Sequence, residues 1–180
     1  MKVRRIVSGR DVAGKSCFVA DGVPPNAHDF VHIPGMQVAH CWATAPVGVI
    51  PREFVDPTLK QTSVVPPPGG THFLIVTFPP DTVMQSADFD PAAANAENMK
   101  HVPGLAEQFE TEHPGMHTTD TVDYGVVLDG EISLELDDGR LLDLHRHDVV
   151  IQNGTRHAWR NRSSKPAVMA FVLIGAKRQG

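Results

Sequence analysis

The amino-acid sequence predicts an all-β fold with one short helical insertion. Fifteen glycines and fifteen prolines are spread along the 180 residues, with short apolar runs between them, as in proteins whose strands are joined by tight turns. Asp129-Gly130 and Asp138-Gly139 each separate two apolar or alternating runs, which indicates hairpin turns because glycine tolerates positive φ. From Glu131 to Leu136 polar and apolar residues alternate, so this strand has one buried face and one exposed face.

Ten strands are predicted in all. They are Val3 to Val7, Ser16 to Ala20, Val38 to Ala45, Thr71 to Phe78, Tyr124 to Leu128, Glu131 to Leu136, Arg140 to Leu144, Asp148 to Ile151, Ala158 to Asn161 and Ala167 to Ile174. One helix interrupts them: Asp90 can cap it, Pro91 opens it, and Pro103-Gly104 ends it after Val102. A second short turn is expected over Leu105 to Phe109. The helix is rich in alanine, which favours a surface position, with a lid over a barrel mouth as the alternative.

Length and charge restrict the class of protein. A chain of 180 residues suits one domain with a single core. Its net charge of -5 gives no electrostatic reason to expect a nucleic-acid partner. The amino terminus has no apolar stretch typical of a signal peptide, and no segment is apolar enough to suggest a membrane partner, so a cytoplasmic location is expected. Cys17 and Cys41 lie far apart and indicate neither a zinc ribbon nor a disulfide framework.

Three side chains that can bind a divalent metal lie on or beside the carboxy-terminal strands. His117 lies six residues before Asp123, and His157 opens the strand that would return beside them. Histidine and carboxylate side chains hold a metal in a β-barrel when they project from neighbouring strands into one cavity. Three protein ligands leave positions open for water and substrate. The alternative is a hydrogen-bonded polar cluster in a metal-free pocket.

Further residues are expected around the same pocket. Thr119 and Asp120 are candidates to line it. Trp159 shares the parity of His157, which indicates either an aromatic wall beside the site or a tryptophan filling the core. If Asp123 points inward, strand alternation turns Tyr124 outward, so this tyrosine is expected to pack against a neighbouring segment or a second subunit.

At these residues the sequence resembles the cupin family, whose members are double-stranded β-helix proteins of the jelly-roll type. The family's first motif has the form G-x5-H-x-H-x3,4-E-x6-G, and HTTDTVDYGVVLDG matches it at His117, Asp123 and Gly130. The second motif, G-x5-P-x-G-x2-H-x3-N, is matched at its end by GTRHAWRN, that is, at Gly154, His157 and Asn161. The resemblance covers about residues 113 to 175 and leaves the first hundred or so unexplained.

The chain departs from the family pattern at four positions. Thr119 replaces the second histidine, and Asp123 replaces the glutamate. Arg146 and Gln152 replace the first glycine and the proline of the second motif. The turns and the alternation of polar and apolar residues still imply a cupin-type jelly-roll barrel. The implied metal binding is weakened, because threonine is a poor ligand and aspartate is one bond shorter than glutamate.

The resemblance implies a small-molecule enzyme with His117 and His157 as catalytic groups. A divalent metal (Fe, Mn, Zn or Ni), held by these histidines and Asp123, would act on a small organic acid or an aromatic or polyketide-like metabolite in the barrel cavity. Two alternatives stay open: a non-catalytic binding or sensing module, and a metal-free lyase or isomerase with either histidine as general base. A homodimer is expected, with amino-terminal strands that extend the sheet or cross to the partner.

Overall fold

The structure is a computed structural model that describes residues 2–51 and 53–179. In this part of the chain, the strands are β1 (Arg5–Arg10), β2 (Ser16–Gly22), β3 (Ala27–Asp29), β4 (Gln37–Thr44), β5 (Thr71–Phe78), β6 (Thr121–Asp129), β7 (Glu131–Glu135), β8 (Leu141–His145), β9 (Val149–Asn153), β10 (Ala158–Arg160) and β11 (Ala167–Gly175). The α-helix is α1 (Pro91–His101), and short 3-10 turns cover Pro57–Lys60, Asp81–Gln85, Ala106–Gln108 and Asp137–Gly139. The predicted all-β class is confirmed.

The strands form three antiparallel sheets. The largest has the order β3-β4-β5-β11-β6-β9, a second has the order β10-β7-β8, and β1 pairs with β2 alone. Side chains alternate along each strand, so each sheet has one inward face. The inward faces of the two larger sheets pack together in one core. Leu74, Met169 and Phe171 contribute from the six-stranded sheet, and Ile132 and Leu144 from the three-stranded sheet. Among the described residues the sheets have the jelly-roll arrangement that the sequence predicts, without a continuous ring of paired strands.

The helix begins and ends as predicted. The Asp90 side chain accepts hydrogen bonds from the backbone N–H groups of Ala92 and Ala93, at 2.9 and 3.1 Å, so the first turn is capped. Glu97 on α1 accepts hydrogen bonds from the backbone N–H groups of Val31 and His32, which holds the helix against the segment that follows β3. In the described part of the chain, no helix combines the length and the apolar character needed to cross a membrane.

One of the two predicted hairpins is wrong. Asp129-Gly130 joins β6 to β7, but β6 pairs with β9 and β11, whereas β7 pairs with β8 and β10. The turn is therefore a corner at which the chain passes from one sheet to the other. A side chain on Gly130 would meet the Pro166 carbonyl oxygen at 2.7 Å, so glycine is required there. Asp138-Gly139 does connect the paired strands β7 and β8, as predicted.

The amino-terminal strands divide into two groups. Strands β3, β4 and β5 extend the large sheet, as expected, although β3 has only three residues and was not predicted. Strands β1 and β2 instead form a separate hairpin in which no residue is buried. Phe18 is 81% exposed and Ile6 is 51% exposed. Arg5 ties the base of this hairpin to the body of the protein through hydrogen bonds to the Cys41 carbonyl and the Asp56 carboxylate.

Candidate active site

His117 and His157, called the histidine pair below, lie side by side where the chain enters β6 and β10. Their backbones form an isolated antiparallel bridge, with N–H to carbonyl distances of 2.9 and 3.0 Å. Their rings are inclined at 51° with centroids 4.3 Å apart. Both side chains are buried. The pairing explains how residues 40 positions apart in the sequence converge between the two sheets.

Backbone carbonyls determine which nitrogen of each ring carries the proton. His117 Nδ1 lies 3.0 Å from the Gly115 carbonyl oxygen, and His157 Nδ1 lies 3.0 Å from the Thr155 carbonyl oxygen. A carbonyl oxygen only accepts, so in both rings Nδ1 is the donor and Nε2 keeps its lone pair. Neither Nε2 makes a hydrogen bond to the described residues. The histidine pair therefore presents two uncommitted lone pairs.

Burial keeps both imidazoles neutral. It lowers the pKa of His157 to about 4, and repulsion from His117 lowers it further in the same direction. The pKa of His117 is also lowered by burial, while the hydrogen bond to the Gly115 carbonyl opposes that shift. Both rings are therefore neutral at pH 7, and each keeps a lone pair on Nε2.

A chain of hydroxyl groups leads to the predicted carboxylate. Asp123 is buried, and burial raises its pKa to about 6, a shift opposed by a hydrogen bond from the Thr121 hydroxyl. The Thr119 and Thr121 hydroxyls lie 2.8 Å apart, and either can be the donor in their hydrogen bond. Oδ1 of Asp123 has no hydrogen-bond partner in the described structure. Thr119 thus lies in the interior.

The predicted ligands are of residue types that bind divalent metals, but their positions do not fit a three-ligand centre. Two neutral imidazoles with free Nε2 atoms and a buried carboxylate with one uncommitted oxygen are a suitable donor set. Nevertheless, no three His, Cys, Asp or Glu side chains among residues 2–51 and 53–179 are positioned to hold one ion. The three-ligand centre does not form in this arrangement.

Two other predicted pocket residues have different positions. Asp120 is exposed and forms an ion pair with Arg178 at 2.8 Å. Alternation explains this, because its neighbours Thr119 and Thr121 occupy the inward positions. Trp159 is half-buried, with its ring centroid 5.9 Å from that of His157 and 5.3 Å from that of Phe171. It forms an aromatic wall beside the histidine pair and also packs on the core.

Sequence reasoning missed three buried polar side chains. Gln152 is 5% exposed and lies opposite Asp123 in the β6–β9 register. His40 and His72 form a second histidine contact, with ring centroids 4.6 Å apart and rings inclined at 50°, and burial lowers the pKa of His40 to about 4. No motif connects His40 to His72, because only the pairing of β4 with β5 brings them together. The only signal for Gln152 in the sequence is that it occupies the position of the proline in the family's second motif.

A surface cleft of about 790 Å³ lies beside the segments that carry the histidine pair, but neither histidine lines it. Met116 and Arg156, the neighbours of His117 and His157 in the sequence, both line it. The Arg156 guanidinium donates to both oxygens of Glu110, at 2.6 and 2.7 Å, and to Asp137 at 2.9 Å. These ion pairs hold the wall of the cleft together.

Comparison with known proteins identifies the class that this fold and site define. The family model for the cupin domain matches residues 106–174 of the sequence. The chain is 31% identical to the phomopsin biosynthesis cluster protein C' of Diaporthe leptostromiformis over 180 residues, covering 96% of this chain and 78% of that protein. The chain therefore belongs to the cupin family, as the sequence motifs predicted.

Two further likenesses cover different extents. The chain is 35% identical to a cupin-domain-containing oxidoreductase of Hypocrea virens over 65 residues, which is 34% of each protein. A solved structure of a putative ethanolamine utilization protein from Salmonella typhimurium has a TM-score of 0.43 and 9% identity. It covers 98% of this chain and 99% of that one.

Proposed function

We propose that the protein is a cupin-type enzyme of small-molecule biosynthesis, with the histidine pair as its reaction centre. The observation that carries this proposal is the pair of neutral, buried imidazoles whose Nε2 lone pairs are uncommitted. Relatives named as a biosynthesis cluster protein and as an oxidoreductase support an enzymatic role within such a pathway. The proposed substrate is a small organic acid or an aromatic or polyketide-like metabolite, as the resemblance to cupins implies.

The two histidines have different roles in the proposed reaction. His117 removes a proton from a carbon next to a substrate carbonyl through Nε2. The electron pair of the broken C–H bond moves into an enolate. His157 stays neutral, and its Nε2 accepts a hydrogen bond that orients the substrate. Return of the proton from His117 to another atom gives isomerisation, and departure of a leaving group from the enolate gives a lyase reaction.

A divalent metal is the second candidate for this site. The observation that favours it is the orientation of both rings, whose Nδ1 protons are held by backbone carbonyls as in many metal-binding histidines. Fe, Mn, Zn or Ni would be held by the two Nε2 atoms and would supply Lewis acidity. Asp123 does not complete a three-ligand set in the described structure.

Proton exchange tests the proposed role of the histidine pair. The protein is incubated in D2O with small hydroxy-ketones and aromatic ketones, and loss of the α C–H signal is followed by proton NMR. We expect exchange that is lost in His117→Ala and reduced in His157→Ala, and retained in His145→Ala, an exposed control. Equal exchange in all four proteins would contradict the proposal. Stoichiometric metal in protein purified without chelators, lost in His157→Ala, would favour the second candidate.

A further inference from the structure

We infer that Gln152 and Asp123 form a recognition pair for an uncharged ligand group in which a carbonyl acceptor lies beside an O–H or N–H donor. The inference rests on the proposed function, because it names the kind of substrate that would bind beside the histidine pair. It concerns binding only, and it assigns a role to Gln152, which replaces the proline of the second motif.

The orientation of the Gln152 amide is determined by its neighbours. Its Oε1 accepts hydrogen bonds from the Asn153 backbone N–H at 3.2 Å and from the Thr155 hydroxyl at 2.6 Å. A backbone N–H can only donate, so the atom it meets must be the amide oxygen. The Nε2 group is therefore the free end of the amide. It is buried and has no hydrogen-bond partner in the described structure.

Asp123 places an acceptor beside this donor. The two residues are direct partners in the β6–β9 register, where opposed Cβ atoms lie about 4.5–5.5 Å apart. Both point between the sheets, since their neighbours Tyr124 and Ile151 are exposed on the outer face. Oδ1 of Asp123 also lacks a partner. One N–H donor group and one carboxylate acceptor thus lie next to each other in the interior, both unused.

Unused buried polar groups are rare in folded proteins because each loses its hydrogen bonds to water without replacement. A ligand that satisfies both groups must accept from Gln152 and donate to Asp123. A hydroxyl beside a carbonyl has this pattern, and so does a carboxamide. A carboxylate has acceptors only, so it satisfies Gln152 and leaves Asp123 facing a second anion.

Thr155 connects the recognition pair to the reaction centre. Its hydroxyl holds the Gln152 amide, while its carbonyl accepts the Nδ1 proton of His157. A single residue between the two therefore orients both side chains. Thr155 is thus the structural link between the recognition pair and His157.

Binding titrations with defined probes test this inference. The probes are 2'-hydroxyacetophenone (a hydroxyl beside a carbonyl), benzamide (a carboxamide) and benzoate (acceptors only), added at pH 8 to 15N-labelled protein. We expect at least one of the first two to shift the side-chain amide signals of Gln152 and to bind about tenfold more weakly to Gln152→Met. Tighter binding of 2'-hydroxyacetophenone indicates a hydroxy-carbonyl ligand, and tighter binding of benzamide indicates a carboxamide. Benzoate is expected not to bind.

Two variants act as controls for these titrations. Gln108→Met makes the same chemical change at an exposed position and is expected to bind the probes like the unaltered protein. Asp123→Asn introduces a donor, so benzoate is expected to gain binding in that variant. The inference is overturned if neither neutral probe binds, if Gln152→Met binds them equally well, or if benzoate binds the unaltered protein as tightly. No turnover is involved, so failed proton exchange with intact, Gln152-dependent probe binding would overturn the proposed function alone.

Discussion

His117 and His157 exchange both of their backbone hydrogen bonds, although 39 residues lie between them. Because opposed residues of an antiparallel bridge project on the same side, this contact is what brings the two imidazoles together. The sheets on either side hold the bridge in place, since His117 leads into β6 and His157 into β10. The position of the histidine pair therefore depends on the packing of both sheets and not on local sequence.

Replacing Thr155 by valine tests its role as the link between His157 and Gln152. Valine keeps the branched shape and the backbone carbonyl but removes the hydroxyl that donates to the Gln152 amide. The free energy of unfolding is expected to fall by about 1 kcal/mol, measured by urea denaturation. Thr155→Ser keeps the hydroxyl and is expected to stay close to the unaltered protein. Equal losses in both variants would show that the hydroxyl is not responsible.

The pH dependence of stability is predicted from Asp123 and His157 together. Burial raises the pKa of Asp123 from 3.8 to about 6, so its contribution to stability is present below about pH 4 and is lost as the pH rises through 6. Burial lowers the pKa of His157 from 6.5 to about 4, so its contribution is present above pH 6.5 and is lost as the pH falls through 4. The two slopes oppose each other between pH 4 and 6.

Asp123→Asn removes the fall in stability with rising pH that is due to Asp123. It leaves the rise in stability that is due to His157. The free energy of unfolding is then expected to rise steadily from pH 4 to 6.5, and at pH 7 to exceed that of the unaltered protein by up to about 3 kcal/mol. Chemical denaturation at a series of pH values measures this. A variant whose profile parallels that of the unaltered protein over this range would show that the carboxyl group of Asp123 is not perturbed by burial.

Alanine is expected to destabilise the protein more at Gly130, in the corner between β6 and β7, than at Gly139. Gly130 and Gly139 both have positive φ, 75° and 67°. A Cβ on Gly130 would lie 2.7 Å from the Pro166 carbonyl oxygen, whereas one on Gly139 meets nothing within 4 Å. Gly139→Ala is expected to reduce the free energy of unfolding by about 1 kcal/mol, and Gly130→Ala by about 3 kcal/mol. Similar losses in thermal or urea unfolding would contradict the close approach at the corner.

The exposed β1–β2 hairpin predicts a homodimer. Residues 1–22 carry five Lys or Arg and two Asp, a net charge of +3, which leaves -8 for the rest of the chain. The hairpin also presents Phe18 and Ile6 to solvent, and an isolated hairpin is marginally stable in water. We therefore predict that it packs on the acidic body of a second copy.

Sedimentation analysis checks this dimer. The unaltered protein is expected to sediment as a dimer, and Phe18→Ser as a monomer. Val12→Ser alters the exposed tip of the same hairpin and serves as the matched control, which is expected to remain dimeric. A monomeric unaltered protein, or a Phe18→Ser dimer of unchanged stability, would contradict the prediction.

The local features of this chain are predictable from its sequence. The Asp90 cap and Pro91 begin α1 where the residues indicate, and strand alternation places Asp123 inward and Tyr124 outward. Residues 71 to 78 form β5 with the predicted bounds. Each of these features depends on neighbouring residues alone, namely on a capping side chain, a proline or an alternating pattern.

Features that depend on distant pairing were not predictable in the same way. Asp129-Gly130 has the composition of a hairpin turn, but β6 is paired with β11, which lies some forty residues further along the chain. The contact of His40 with His72 depends on the register of β4 with β5. Gln152 was recognisable only as a departure from a motif, and its buried, unpartnered amide becomes evident only opposite Asp123.

The protonation of the two imidazoles, measured by 15N NMR between pH 4 and 8, tests the central claim most directly. We predict that His117 and His157 are neutral at pH 7 and that both carry their proton on Nδ1. Protons on Nε2, or a His157 that is charged at pH 7, would contradict the proposal that the histidine pair presents two free lone pairs to a substrate.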